Sequence, residues 1–337
     1  DQALELLPAG IPDIEISGSA PAKLSLQFLE SKKVKFELTS SLNGVELSYL
    51  PIGWVKEMKD EAELKISGSL GDEVVIDDIF LRSPDLTLVG SALRNKEGNF
   101  LLNFDKLALK DVFDLKLSIK TDGAIDITGG QLNLQEFLKL PLVKNPSEKS
   151  APLSIYLDEL KLYEKQVITR FTAALDSTGK GEFSGSLNDL ASFSGKLEKV
   201  RSGYNIRAVS NNAGSFIRAL GAAKAADGGT AQLNLTHLEN SPGMQGKLKF
   251  KNIRLRNMPA LLELLDAISI VGLIDQLQGP GLVLNEIEAD FINLPDQIKF
   301  ERASACASLP SITFPLDNAI LILSVSSDKI ASISLLL

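Results

Sequence analysis

Apolar and polar residues alternate along most of this chain. Leu24, Leu26 and Phe28 alternate with Ser25 and Gln27, and Val34, Phe36 and Leu38 with Lys35 and Glu37. Val45, Leu47 and Tyr49 repeat the pattern, as do Leu64/Ile66, Leu86/Leu88, Leu102/Phe104, Leu115/Leu117/Ile119 and Leu153/Ile155/Leu157. It returns at Tyr204/Ile206, Leu233/Leu235, Leu248/Phe250, Ile253/Leu255, Ile287/Phe291 and Ile298/Phe300. A period of two puts apolar side chains on one sheet face and polar ones on the other, so each run predicts a half-buried β-strand. Turn signals separate the runs, among them Asn43-Gly44, Leu70-Gly71-Asp72, Lys96-Glu97-Gly98-Asn99, Asp122-Gly123 and Asp227-Gly228-Gly229. Short strands joined by such turns predict an antiparallel meander of about twenty strands. The echo of Ile14-Glu15-Ile16-Ser17-Gly18-Ser19 in Leu64-Lys65-Ile66-Ser67-Gly68-Ser69 has no regular period, which disfavours a solenoid.

Helical signals are few. A short turn is expected over Gln135 to Leu140, and a second from Asn212 to Leu220, with Asn212 as N-cap and Gly221 as terminator. A third, over 258–277, is amphipathic: Leu261, Leu265, Ile268 and Leu273 share its apolar side, interrupted by Glu263, Asp266 and Asp275. The segment 144–152 reads as an exposed loop between β-rich segments 1–143 and 153–308.

About twenty strands against three helical pieces raise a burial problem, because large exposed apolar patches are rare on soluble monomers. A sandwich, a closed barrel, or a curved sheet around an apolar ligand would each solve it. An outer-membrane barrel fits poorly, since its aromatic girdles would have to come from 4 Tyr and 1 Trp. The expected fold is therefore mainly β: a long, strongly curved antiparallel meander forming an apolar groove, its end plugged by the amphipathic helix.

Chemistry narrows the choice. A formal net charge of -8 gives no broad phosphate-binding surface, so nucleic acid is not an expected partner. A single cysteine, Cys306, and a single histidine, His237, allow neither an internal disulfide nor a Cys/His zinc site. No phosphate-binding glycine loop and no G-x-S-x-G elbow occurs. The pairs Asp77-Asp78 and Asp158-Glu159 sit on strands, where adjacent side chains point to opposite faces and do not converge. A non-catalytic chain without metal or cofactor is expected. No stretch reaches the roughly 18 apolar residues of a membrane span, and Asp1 is expected to begin a piece of something longer.

Two stretches resemble a known family. Ile127-Thr128-Gly129-Gly130-Gln131-Leu132-Asn133-Leu134, followed by Phe137-Leu138, looks like a junction in AsmA-like proteins of the YhdP and TamB type. Between Asn211 and Ala307, the run Asn212 to Gly221 is followed by Gly228-Gly229-Thr230-Ala231-Gln232-Leu233, Gly246-Lys247-Leu248, Asn257-Met258-Pro259-Ala260-Leu261-Leu262, Gly279-Pro280-Gly281-Leu282 and Ile287-Glu288-Ala289-Asp290-Phe291. That order is similar to the family's C-terminal part, whereas 309–337 departs from it. The resemblance implies a periplasmic protein anchored in the inner membrane by a preceding helix, whose groove carries phospholipids between the two membranes of a Gram-negative bacterium. It makes Leu115, Leu117, Ile119, Leu153, Ile155, Leu157, Leu233, Leu235, Leu248, Phe250, Ile287 and Phe291 the expected groove lining. Leu261, Leu265, Ile268 and Leu273 would close its end. The alternative is a structural or adhesive β-sandwich whose apolar faces pack on each other.

Overall fold

The structure, a computed structural model, describes residues 14–30, 33–49, 52–141, 151–163, 166–201, 203–219, 225–238, 243–256, 279, 281–294 and 297–307. The first strands are β1 (Ile14–Gly18), β2 (Ala22–Phe28), β3 (Val34–Ser40), β4 (Val45–Tyr49), β5 (Trp54–Lys56), β6 (Glu63–Leu70) and β7 (Val74–Arg82). They are followed by β8 (Leu86–Arg94), β9 (Phe100–Leu109), β10 (Phe113–Ile119), β11 (Ile125–Asn133), helix α1 (Leu134–Leu138) and β12 (Leu153–Tyr163). Next come β13 (Gln166–Leu175), β14 (Gly181–Leu187), β15 (Ala191–Val200), β16 (Gly203–Ser210) and helix α2 (Ala213–Ala219). The last are β17 (Ala225–Asp227), β18 (Thr230–His237), β19 (Met244–Arg256), β20 (Leu282–Leu294) and β21 (Gln297–Ala307). The predicted 258–277 helix, with Leu261, Leu265, Ile268 and Leu273, lies outside the described residues, as do most of the 144–152 loop and the 309–337 tail.

The protein is mainly β, as the alternation predicts: among the described residues, an 18-strand sheet with two short helices. Among the described residues its ladders are antiparallel. The chain divides into two compact units, Asp1–Asp158 and Glu159–Leu337.

In the first unit the ladder order is β2-β3-β6-β7-β8-β9-β10-β11. The alternating run Val45/Leu47/Tyr49 departs from the expected meander. It forms β4, the middle strand of a separate sheet ordered β1-β4-β5. Lys56 shows why this sheet holds together. Its side chain is 1% exposed, and its ammonium donates to the carbonyls of Leu42 (2.9 Å), Val45 (2.8 Å) and Glu57 (3.0 Å). All three ammonium donors are thereby satisfied, which a buried lysine requires. The Trp54 indole N–H donates to Asp85 Oδ1 (3.2 Å), and its ring packs with Leu86 and Leu109.

In the second unit β13-β14-β15-β16-β18-β19-β20-β21 continue the antiparallel order, and β17 pairs with the end of β19 beyond β18. The polar face carries a charge ladder: Lys247, Lys249 and Lys251 of β19 stand opposite Asp290, Glu288 and Glu286 of β20. Opposite charges across a ladder support one register over its slips, because a one-residue shift would turn every side chain over. Helix α2 begins as expected, with the Asn212 side chain accepting from Ser215 N–H (3.0 Å). The helix rests on the Asp227-Gly228-Gly229 turn: Ala213 and Gly214 N–H groups donate to Gly229 (3.1 Å) and Gly228 (2.9 Å) carbonyls.

Candidate functional site

The apolar faces of the two units differ in what covers them. In the first unit, register lines the apolar side chains up in rows across eight strands. One row is Leu24, Leu38, Ile66, Ile79, Gly90, Phe104, Leu117 and Ile127. Beside it runs Leu26, Phe36, Gly68, Ile76, Ala92, Leu102, Ile119 and Ile125. A third consists of Leu64, Leu81, Leu88, Leu107, Leu115 and Gly130. Seven strand spacings make the longer rows about 34 Å long.

Most of these side chains are only half-buried, including Leu38, Ile79, Leu88, Phe104 and Leu117. Ile66, Ile76, Ala92 and Leu115 are the buried exceptions. At the β2 end cover is lost: Leu24 is 43%, Leu26 48% and Phe28 78% exposed. Along one rim the face is closed by the Trp54, Leu86 and Leu109 cluster, which also takes in Tyr49, Val112 and Phe113. The other rim is formed by the turns after β2, β6, β8 and β10 and is charged, with Lys33, Asp72, Arg94, Lys96 and Lys120.

In the second unit the corresponding face is buried. Leu233, Leu235, Leu248, Phe250, Ile287 and Phe291, six of the expected lining residues, meet in one cluster with Phe183, Ile206 and Ile253. None of the six is more than 9% exposed. Of the other six, Leu115 (8%) and Leu157 (2%) are buried, whereas Leu117, Ile119, Leu153 and Ile155 are half-buried.

Glycines opposite phenylalanines recur on the apolar face of both units. Phe36 stands opposite Gly68, Phe104 opposite Gly90, Phe183 opposite Gly195, Phe193 opposite Gly185 and Phe291 opposite Gly246. At Gly195 and Gly246 a Cβ would lie 2.2 Å from Cζ of the facing ring. The ring therefore occupies the space that a side chain on the neighbouring strand would need. At Gly68 and Gly90 a Cβ would instead meet a backbone carbonyl of the next strand at 2.1 Å. Both lie at breaks in register, where a β-bulge bends the strand and adds twist.

Among the described residues no three His, Cys, Asp or Glu side chains stand where they could hold a metal ion, and no helix is long and apolar enough to cross a membrane. Asp77 and Asp78 fall at a register shift in β7 and are both exposed, and Asp78 accepts from Ser67 Oγ (3.1 Å). Asp158 accepts from Gly130 N–H (2.9 Å). His237 ends β18 half-buried against Gly203, and Cys306 is half-buried near the end of β21.

Three features carry no mark in the sequence. Ile76 and Ile79 belong to the rows, but the bulge between them breaks the period-two signal. Lys56 and Arg94 look like ordinary exposed strand residues in a sequence, and nothing local marks either. No protein-family profile, no curated protein and no solved structure matches the chain.

Proposed function

We propose that this protein binds phospholipid acyl chains, without catalysis, along the apolar face of its first unit. The observation that carries the reading is the exposure of that face: rows of aliphatic and aromatic residues cross eight strands and, apart from Ile66, Ile76, Ala92 and Leu115, remain half-buried, opening at Leu24, Leu26 and Phe28. Covering such a surface with methylenes is favourable by about 0.8 kcal/mol per buried CH₂. A leaflet's acyl tail spans about half of a hydrocarbon core about 30 Å thick, so rows of about 34 Å accept it lengthwise. From the AsmA-like resemblance comes the setting: a periplasmic chain, anchored in the inner membrane, moving phospholipid between the inner and outer membranes of a Gram-negative bacterium. No cofactor enters the proposal.

The second unit favours the other reading. Its apolar residues are covered, as in an ordinary core, and a structural or adhesive role suits that unit alone.

Native purification followed by lipid mass spectrometry tests the proposal. Phospholipid is expected with the wild type and depleted in the double variant Leu24→Glu, Leu26→Glu, whose folding is expected to persist because both positions are already exposed. Absence of lipid from the wild type, or undiminished lipid in the folded variant, would refute it.

A further inference from the structure

Resting on the lipid reading above, we infer that the first unit prefers phospholipids with a net anionic head group, contacted by Arg94. The residue ends β8 and shares the parity of Leu86, Leu88, Gly90 and Ala92, which places it on the apolar face. Its neighbours across the ladder are Val74 and Phe100, and its guanidinium lies over the Phe100 ring, 5.6 Å from the centroid. It is exposed and has no carboxylate partner among the described residues. Neighbouring rim cations differ: Lys96 pairs with Asp72 (3.2 Å) and Lys120 with Asp126 (2.6 Å).

An amphiphile on this face has few places for its polar end. The three rows carry no ionisable side chain, and the far rim is filled by the Trp54 cluster. That leaves the charged rim, where Arg94 is, among the described residues, the cation whose strand parity places it with the rows; Lys33 precedes Val34 and has the opposite parity. A guanidinium is planar, weakly hydrated and forked, and its five donors match a phosphate's oxygens. Stacking on Phe100 holds it at the end of the rows without neutralising it. The chain's net charge of -8 otherwise repels anionic lipid, so a preference for one must come from a local contact.

The test offers the full chain equal amounts of phosphatidylglycerol and phosphatidylcholine in mixed vesicles, then measures the protein-bound lipid by mass spectrometry. Phosphatidylglycerol is expected to be enriched about twofold to fivefold, the range of an exposed ion pair, and the enrichment should shrink as salt is raised. Arg94→Gln should bring bound phosphatidylglycerol down to the level of phosphatidylcholine, and Arg94→Lys should keep part of the enrichment. Equal uptake by the wild type, or unchanged enrichment in Arg94→Gln, would overturn the head-group inference and leave lipid binding standing. Loss of both lipids in Arg94→Gln at an unchanged melting temperature would also overturn it, because Arg94 would then hold any phosphate. No uptake of either lipid by the wild type would instead bring down the lipid reading.

Discussion

Gly246→Ala sets two effects of opposite sign against each other. Glycine in a strand is less stable than alanine by about 0.5–1 kcal/mol on backbone grounds, so the change would ordinarily help. At this position, however, the new Cβ would lie 2.2 Å from Phe291 Cζ and 2.3 Å from Cε2, more than an ångström inside normal contact. Phe291 is 0% exposed and packs against Phe300 with ring centroids 6.0 Å apart, so it cannot swing into solvent. Overpacking of a closed core costs about 1–3 kcal/mol and outweighs the backbone gain. Urea unfolding should therefore show a lower midpoint at unchanged slope. A double-mutant cycle isolates the cause: in a Phe291→Leu background the methyl fits, and the cost of Gly246→Ala should fall to about zero, a coupling of about 1–3 kcal/mol. A neutral or stabilising Gly246→Ala, or the same cost in both backgrounds, would refute the ring-over-glycine account.

Further outcomes follow from buried and paired charges. Lys56→Met should leave the carbonyls of Leu42, Val45 and Glu57 without their donor, at a cost of about 3 kcal/mol or more. Amide hydrogen exchange in β4 and β5 should quicken while β7 to β9 stay protected, and equal protection before and after would count against the role of Lys56. On the polar face of the second unit, Lys249 donates to Glu286 and to Glu288 (2.6 Å). Hydrogen bonds to Glu286 and then Glu288 raise the Lys249 pKa, and the bond from Lys249 holds the Glu288 carboxyl below its usual range. A depressed carboxyl stabilises the fold above its unfolded pKa and loses that contribution as pH falls through its folded one. A raised lysine stabilises below its unfolded pKa and loses the contribution as pH rises through its folded one. The stability curve should therefore fall less steeply on acidification in Lys249→Met than in the wild type; superimposable curves would show that the triad adds nothing.

Much of the secondary structure was legible because its signal is local. Val34, Phe36 and Leu38 alternate with charged residues whatever the rest of the chain does, and that alternation locates β3. Asn212 caps α2 through a hydrogen bond only three residues long, which a sequence displays directly. The Asp77-Asp78 bulge was not legible, since it depends on how β8 is spaced against β7. Nor was the departure of β4 from the meander, since Val45/Leu47/Tyr49 alternate like any meander strand and only the carbonyl cradle around Lys56 tells them apart.

The candidate lining divides along the same line. Sequence by itself determined that Leu117 and Phe250 each stand on the apolar face of a strand, because side-chain direction has a period of two and needs no partner. Tertiary structure decided that Phe250 is buried among Leu248, Ile253 and Ile287 while Leu117 remains half-exposed between Phe104 and Ile127. Whether an apolar face is a core or an open surface depends on what lies over it, and that comes from residues far away in the chain. The same holds for Arg94: its place at the end of the apolar rows exists only once β7, β8 and β9 are in register.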